Sequence, residues 1–100
     1  MITFLYRWRV KPDLSVQFVE NWSIVTEYYR ANCRSLGSRL HRGSDGFYYG
    51  YAQWPSQEIR DNAVQDERSA AAFAAMQEAV EERFPDVRME VLSDFLIPES

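Results

Sequence analysis

The first ten residues alternate between two kinds of side chain with a period of two. One side of this segment is apolar and aromatic and consists of Ile2, Phe4, Tyr6, Trp8 and Val10. Such a period predicts a β-strand over residues 2–10. Residues 38–43 and 47–54 also alternate, and the sequence Gly43-Ser44-Asp45-Gly46 between them is typical of a hairpin turn. A fourth alternating segment predicts a strand over residues 87–97.

Two longer segments have the spacing of amphipathic helices. In residues 14–31, large apolar side chains recur every three or four positions, at Phe18, Trp22, Val25 and Tyr29. In residues 69–84 the same spacing connects Phe73, Met76, Val80 and Phe84, and Pro85 follows. A short helix over 56–63, capped by Ser56, is predicted between the third strand and the second long helix.

The order of these elements predicts an α+β fold of the ferredoxin-like class. Read in sequence, they give βαββαβ, which forms a four-stranded antiparallel sheet with both long helices on one face. Right-handed crossovers place the first and third strands at the centre. The 100 residues are enough for a single domain, which we assign to residues 1–100.

The residue pattern of the third strand predicts that both faces of the sheet are buried. Aromatic side chains point to both sides of it, and small residues alternate with large ones along one side: Phe47, Tyr49 and Tyr51 on one side; Tyr48, Gly50, Ala52 and Trp54 on the other. Two helices cover one face only, so the other would expose several hundred Å² of apolar surface, more than monomers usually show. We therefore expect a homodimer, and a cavity beside Gly50 and Ala52.

Composition and charge narrow the classes of partner. The net charge of −4 argues against nucleic acid, which requires a basic surface. Cys33 is the only cysteine, the start of the chain lacks the apolar core of a signal peptide, and no apolar run approaches the ~18 residues of a membrane helix. We expect a cytoplasmic protein that does not bind a membrane.

The central hairpin resembles that of the antibiotic biosynthesis monooxygenase (ABM) family. The resemblance rests on the segments 36–42, 45–46 and 51–55, and it extends to the opening strand and helix and to residues 89–96. It implies the dimeric α/β barrel of that family, in which two ferredoxin-like subunits pair. The family includes cofactor-free oxygenases of polyketide quinone precursors and haem-degrading enzymes, so the resemblance specifies the fold better than the reaction.

Haem degradation fits these residues poorly. The haem-degrading members have an asparagine on the first strand, and the matching position here lies near Tyr6. They also use a histidine on the helix after the third strand, whereas residues 56–68 contain none. Trp54 does match the tryptophan that borders the active cavity in several members.

A cofactor-free oxygenase needs a base or relay, donors for a substrate anion and a dry pocket. The candidate catalytic residues are Trp54, His41 and Tyr48, and the candidate substrate-binding residues are Tyr6, Trp8, Arg39, Gly50 and Ala52. His41 is the only histidine, and an imidazole can act as an acid or a base near neutral pH. It shares a face with Arg39, and a four-residue turn would place it opposite Tyr48.

The leading hypothesis is oxidation of a small aromatic or polyketide-like molecule without a bound cofactor. One histidine and one cysteine do not make a metal site, and no glycine-rich phosphate loop is present. The alternative is a non-catalytic dimer with a ligand-binding or structural role, and a haem-binding protein is the third possibility.

Overall fold

The strand predicted over residues 2–10 forms and lies at the centre of the sheet. The computed structural model describes residues 1–97. Its elements are β1 (Ile2–Val10), α1 (Ser15–Asn32), β2 (Gly37–Arg42), β3 (Tyr48–Trp54), α2 (Gln57–Asp61), α3 (Glu67–Glu78), β4 (Val80–Arg83) and β5 (Val87–Met89). A single 3-10 turn, Pro12–Leu14, leads into α1.

The sheet has the antiparallel ferredoxin-like topology that the element order predicts. The strand order is β2-β3-β1-β4, with β5 also paired to β1. The first and third strands are central, as expected from right-handed crossovers. The short helix α2 is confirmed too, since the Ser56 side chain caps it by accepting a hydrogen bond from the Ile59 amide.

The end of the second long helix was predicted wrongly. The helix α3 stops at Glu78, and Val80–Arg83, predicted as its last turn, forms β4 instead. β4 pairs with the free edge of β1, where Arg83 lies opposite Trp8 and Val80 opposite Val10. The free edge of β1 offers a row of backbone hydrogen-bond partners. Pairing with them stabilises residues 80–83 more than one additional turn of helix would.

The last predicted strand is much shorter than residues 87–97. Only Val87–Met89 pairs, with Met89 opposite Thr3 near the start of β1. Beyond Met89 the chain runs past the end of its partner strand, so residues 90–97 have no ladder to join within this subunit. Their apolar side chains are exposed, with Leu92 at 88% and Phe95 and Ile97 at 92% relative accessibility.

The hairpin register also differs from the prediction. Five residues, 43–47, connect β2 to β3, and Arg42 rather than His41 lies opposite Tyr48. The Gly43 amide donates to the Phe47 carbonyl at 2.8 Å, and Gly46 adopts a φ of +87°, which glycine tolerates best. A register change of one residue reverses the face on which every β2 side chain lies relative to β3.

The helices cover one face of the sheet. Phe18 of α1 is fully buried and packs edge-on against the rings of Trp8 and Tyr48, at centroid distances of 5.2 and 5.5 Å. The other face carries half-buried aromatic side chains with no helix over them. On it the Arg7 guanidinium lies between the rings of Phe47 and Phe84, 4.2 and 4.3 Å from their centroids.

Candidate functional site

A cavity of about 480 Å³ lies between the covered face of the sheet and the helices α1 and α3. Six aromatic side chains line it: Tyr6, Trp8, Trp22, Tyr29, Trp54 and Phe73. The wall also contains four charged residues: Arg60, Glu81, Glu82 and Arg83. The alternation of β1 and β3 and the helical spacing of α1 direct the aromatic side chains to the same layer. Concave, mostly apolar spaces of this size with a few polar groups are typical of small-molecule sites.

The β1 side of the cavity is a row of stacked rings. The Tyr6 ring lies 6.3 Å from that of Phe4 and 5.7 Å from that of Trp8, with interplanar angles of 17° and 18°. The three residues are two positions apart, so the strand places their rings side by side on one face. The row places the Tyr6 ring between two apolar rings.

Gly50 makes room for Trp8. A Cβ atom at Gly50 would lie 3.0 Å and 3.1 Å from two carbons of the Trp8 ring, closer than nearly all real Cβ contacts. Gly50 was predicted to leave a cavity, and it does line one. It also lets the Trp8 indole lie close to the sheet.

Trp54 closes one end of the cavity. It is 5% exposed, and the ring of Tyr29 meets it edge-on at a centroid distance of 5.7 Å. Ile2, Phe4 and Ala52 pack in the same buried cluster. The indole is thus held in a fixed orientation while still contributing to the cavity wall.

Arg60 brings a positive charge to this aromatic wall. It lies on α2, and its guanidinium stacks on the Phe4 ring at 3.9 Å from the centroid. Its Nε and Nη2 atoms both donate hydrogen bonds to the Tyr6 hydroxyl oxygen, at 3.1 and 3.0 Å. The pair places a hydroxyl group and a guanidinium in the cavity wall.

Asp86 also binds Arg60, through the same Nη2 atom that donates to Tyr6. Its Oδ2 atom accepts from Arg60 Nη2 at 3.2 Å, and its Oδ1 atom accepts from Arg83 at 3.0 Å. Asp86 lies in the short connection between β4 and β5, which brings it next to α2. The arginine is therefore fixed by a carboxylate, a ring and a hydroxyl together.

The environment of Tyr6 favours its neutral form. Burial raises the pKa of the Tyr6 hydroxyl above its ordinary value of 10.0, and the Arg60 hydrogen bond and charge offset only part of this effect. The hydroxyl is consequently protonated at neutral pH. It can donate a hydrogen bond, and it is not a base.

The structure brings together five of the eight residues predicted for the site. These are Tyr6, Trp8, Gly50, Ala52 and Trp54, which all line the cavity. Tyr48 points to the same side of the sheet but is buried in the core against Phe18.

His41 and Arg39 lie on the other face of the sheet. His41 is opposite Tyr49 and Arg39 is opposite Tyr51, and both side chains are exposed. The expected pairing of His41 with Tyr48 is wrong because the connection has five residues instead of four. Neither residue reaches the cavity within this subunit.

Sequence reasoning missed several residues of the cavity. Trp22 and Tyr29 were assigned to the core from their helical spacing, and they do pack there, but they also face the cavity. The size of these two side chains on the apolar side of α1 was a usable signal. Arg60 had none, because a single arginine in a short polar helix looks like an ordinary surface residue.

Within residues 1–97, no group of three or more His, Cys, Asp or Glu side chains lies close enough together to hold a metal ion.

Solved structures with the same fold include proteins of the antibiotic biosynthesis monooxygenase group. SnoaB, a cofactor-independent oxygenase from Streptomyces nogalater, is 14% identical, covers 94% of this chain with 95% of its own, and has a TM-score of 0.76. An antibiotic biosynthesis monooxygenase is 15% identical over 93% of this chain and 100% of its own, with a TM-score of 0.76. Rv0793 from Mycobacterium tuberculosis is 14% identical over 95% and 98%, with a TM-score of 0.75.

These likenesses show that the chain has the fold of the antibiotic biosynthesis monooxygenases. At sequence identities of 14–15%, these similarities establish the fold and not the function. Neither a family model nor a curated protein matches the sequence.

Proposed function

We propose that this protein, which has the fold of the antibiotic biosynthesis monooxygenases, is a cofactor-independent oxygenase of a small aromatic or polyketide-like molecule. The observation that carries the proposal is the aromatic cavity of about 480 Å³ with the Tyr6 hydroxyl and Arg60 in its wall. The indoles of Trp8, Trp22 and Trp54 offer apolar surfaces to a flat ring, and the polar pair offers a hydrogen bond to a ring oxygen.

The proposed reaction needs no electron donor other than the substrate. A phenol or enol loses its proton, and the resulting carbanion-like ring position transfers electrons to dioxygen. Overall the substrate loses two hydrogen atoms and gains one oxygen atom, and the second oxygen atom leaves as water. The protein contributes an aromatic surface that holds the ring, and a hydrogen-bond donor near the ring oxygen.

A non-catalytic ligand-binding dimer is the second candidate. The observation that favours it is the position of His41, the predicted base, on the opposite face of the sheet from the cavity. On this hypothesis aromatic ligands bind and leave unchanged.

Oxygen uptake separates the two candidates. Purified protein is mixed with a hydroxylated naphthalene or an anthrone, and dioxygen consumption and quinone formation are followed together. An oxygenase consumes one dioxygen per quinone formed, and Trp54→Phe slows it. Tyr28→Phe is the matched control, because Tyr28 is an aromatic residue of α1 outside the cavity. Ligand binding without oxygen uptake for any such compound would identify a binding protein.

We also propose that the protein is a homodimer in which two copies cover each other's open sheet face. That face carries half-buried Leu5, Tyr49 and Tyr51, and an Arg7 whose Nε atom is buried without a hydrogen-bond partner among residues 1–97. Buried polar groups in stable structures normally have partners, so this face is incomplete in a single subunit.

The exposed segment 90–97 supports a second copy as the partner. It continues β5 past the end of β1 with Leu92, Phe95 and Leu96 exposed. Its acidic residues Glu90 and Asp94 complement the arginines of the open face. An extended apolar segment with acidic spacing can add to the sheet of a second subunit and cover its aromatic surface.

The described residues contain no helix long and apolar enough to cross a membrane. We propose a cytoplasmic location, in keeping with the free Cys33. We further propose that residues 1–100 act as one domain and that neither nucleic acid nor a membrane is a partner.

A further inference from the structure

Arg60 occupies both acceptor positions of the Tyr6 hydroxyl oxygen but leaves its hydrogen free to donate. A phenolic oxygen has one hydrogen to donate and two lone pairs to accept with. Arg60 Nε and Nη2 donate to it at 3.1 and 3.0 Å, and so they occupy the acceptor positions. The hydroxyl hydrogen is left to be donated elsewhere, and Tyr6 lines the cavity.

We infer that Tyr6 is the donor that binds an anionic ring oxygen in the cavity, and that Arg60 is a positioning residue that acts through Tyr6 rather than on the ligand itself. This inference rests on the proposed aromatic site and assigns its polar recognition to two residues. The Tyr6 hydroxyl contacts the ligand, while the guanidinium orients the hydroxyl hydrogen and polarises the O–H bond.

The surroundings of Arg60 explain why it does not swing to the ligand. Its guanidinium lies on the Phe4 ring at 3.9 Å, and Asp86 Oδ2 accepts from its Nη2 at 3.2 Å. Asp61 lies 3.5 Å from its Nη1 atom. With a ring beneath it and carboxylates beside it, the cation keeps two N–H groups on Tyr6.

The neutral state of Tyr6 is consistent with this role. Burial keeps the pKa of Tyr6 above its ordinary value, so the hydroxyl retains its hydrogen at neutral pH. A charge-assisted hydrogen bond from this hydroxyl to an anion is roughly twice as strong as one between neutral groups. A ligand with an ionised ring hydroxyl should therefore bind more tightly than the same ligand with that oxygen methylated.

Binding measurements test the inference without any need for turnover. The probes are 2-hydroxy-1,4-naphthoquinone, an anion at neutral pH, and its methyl ether, and binding is followed by quenching of the tryptophan fluorescence without oxygen present. We expect wild-type protein to prefer the hydroxyquinone by about tenfold, the value of one charge-assisted hydrogen bond. The measured quantity is the ratio of the two dissociation constants, because general damage to the cavity weakens both probes together.

The variants separate the two roles. Tyr6→Phe should abolish the preference while the methyl ether still binds. Arg60→Gln should lose most of the preference, and Arg60→Lys should recover part of it. Tyr28→Phe is the matched control, because it removes the hydroxyl of a tyrosine on α1 that does not line the cavity. That variant should keep the wild-type ratio.

Each other outcome has a definite reading. Equal binding of both probes to wild type, or an unchanged ratio in Tyr6→Phe, overturns the inference but leaves the aromatic site of the proposed function in place. Binding of neither probe overturns both. A ratio that is lost in Arg60→Gln but kept in Tyr6→Phe would show that Arg60 contacts the anion directly, which also contradicts the inference.

Discussion

Arg60 and Tyr6 are 54 positions apart in the chain, yet Arg60 donates two hydrogen bonds to the Tyr6 hydroxyl oxygen. One residue belongs to the central strand and the other to a helix of five residues. Because Asp86 bonds to the same guanidinium, three separate parts of the chain meet at this point. The charges of these groups make opposite and measurable contributions to the ionisation of Tyr6.

The first prediction concerns the pKa of Tyr6 in two variants. Arg60 lowers this pKa and Asp86 raises it, although burial is the largest cause and leaves it above 10.0. We therefore expect Arg60→Gln to raise the pKa of Tyr6 and Asp86→Asn to lower it. Tyrosinate absorbance measures the pKa, with Tyr6→Phe used to identify the signal. Shifts in the same direction for both variants would contradict the geometry.

The second prediction is the effect of alkaline pH on stability. The pKa of Tyr6 is higher in the folded protein than in the unfolded chain, so between these values the folded state binds more protons. The contribution of Tyr6 to the free energy of unfolding is fully present below the unfolded pKa of about 10. It is lost as the pH rises through the folded pKa.

Urea unfolding at about pH 8 and about pH 11, on either side of the ordinary tyrosine pKa, tests this dependence. The wild type should lose more stability between the two conditions than Tyr6→Phe does, because the variant cannot ionise at this position. An equal loss in both proteins would show that Tyr6 ionises at the same pH in the folded and unfolded states.

The third prediction concerns Trp54. Because this side chain is 5% exposed, Trp54→Ala should lower the free energy of unfolding by about 3–5 kcal/mol through the cavity it leaves. Trp54→Phe keeps an aromatic ring and should cost under about 1.5 kcal/mol. Chemical denaturation measures both values. A small cost for Trp54→Ala would show that the indole is less tightly packed than the structure indicates.

The fourth prediction concerns the two residues that the register places outside the cavity. His41→Ala and Arg39→Ala should leave the affinity for aromatic ligands unchanged, because both side chains lie on the far side of the sheet. Fluorescence titration measures this affinity, and Trp8→Ala serves as the positive control. Weaker binding in either variant would mean that the open face contributes to the site.

The fifth prediction concerns the proposed dimer. Sedimentation equilibrium should give about twice the 11.8 kDa mass of one chain. Phe95→Asp places a charge in the exposed apolar segment and should shift the protein toward the monomer. The control Val16→Asp, at an exposed valine in the first turn of α1, should not. A wild-type protein that remains monomeric at high micromolar concentration would remove the basis for the dimer.

Much of the fold could be predicted from local pattern. The period of two in residues 2–10 identifies β1, and Ser56 identifies the start of α2. The aromatic side of β1 and β3 also identified Tyr6, Trp8 and Trp54 as residues that share one layer. These features depend on the geometry of a single segment, which the sequence of that segment contains.

The errors arose where one segment meets another. Val80 fits a helical pattern as well as a strand pattern, and the free edge of β1 decides between them. Arg60 acquires its role only because α2 lies beside β1 and Asp86. Neither relationship leaves a trace in the spacing of nearby residues.

The sequence by itself therefore determined which side chains share a face within each strand and helix, because backbone geometry fixes those periods. The tertiary structure decided which faces meet. One additional residue in the connection between β2 and β3 turned His41 and Arg39 away from the cavity, and contact between distant segments placed Arg60 on Tyr6. Register and contact are properties of pairs of segments, so only the assembled sheet and helices could establish them.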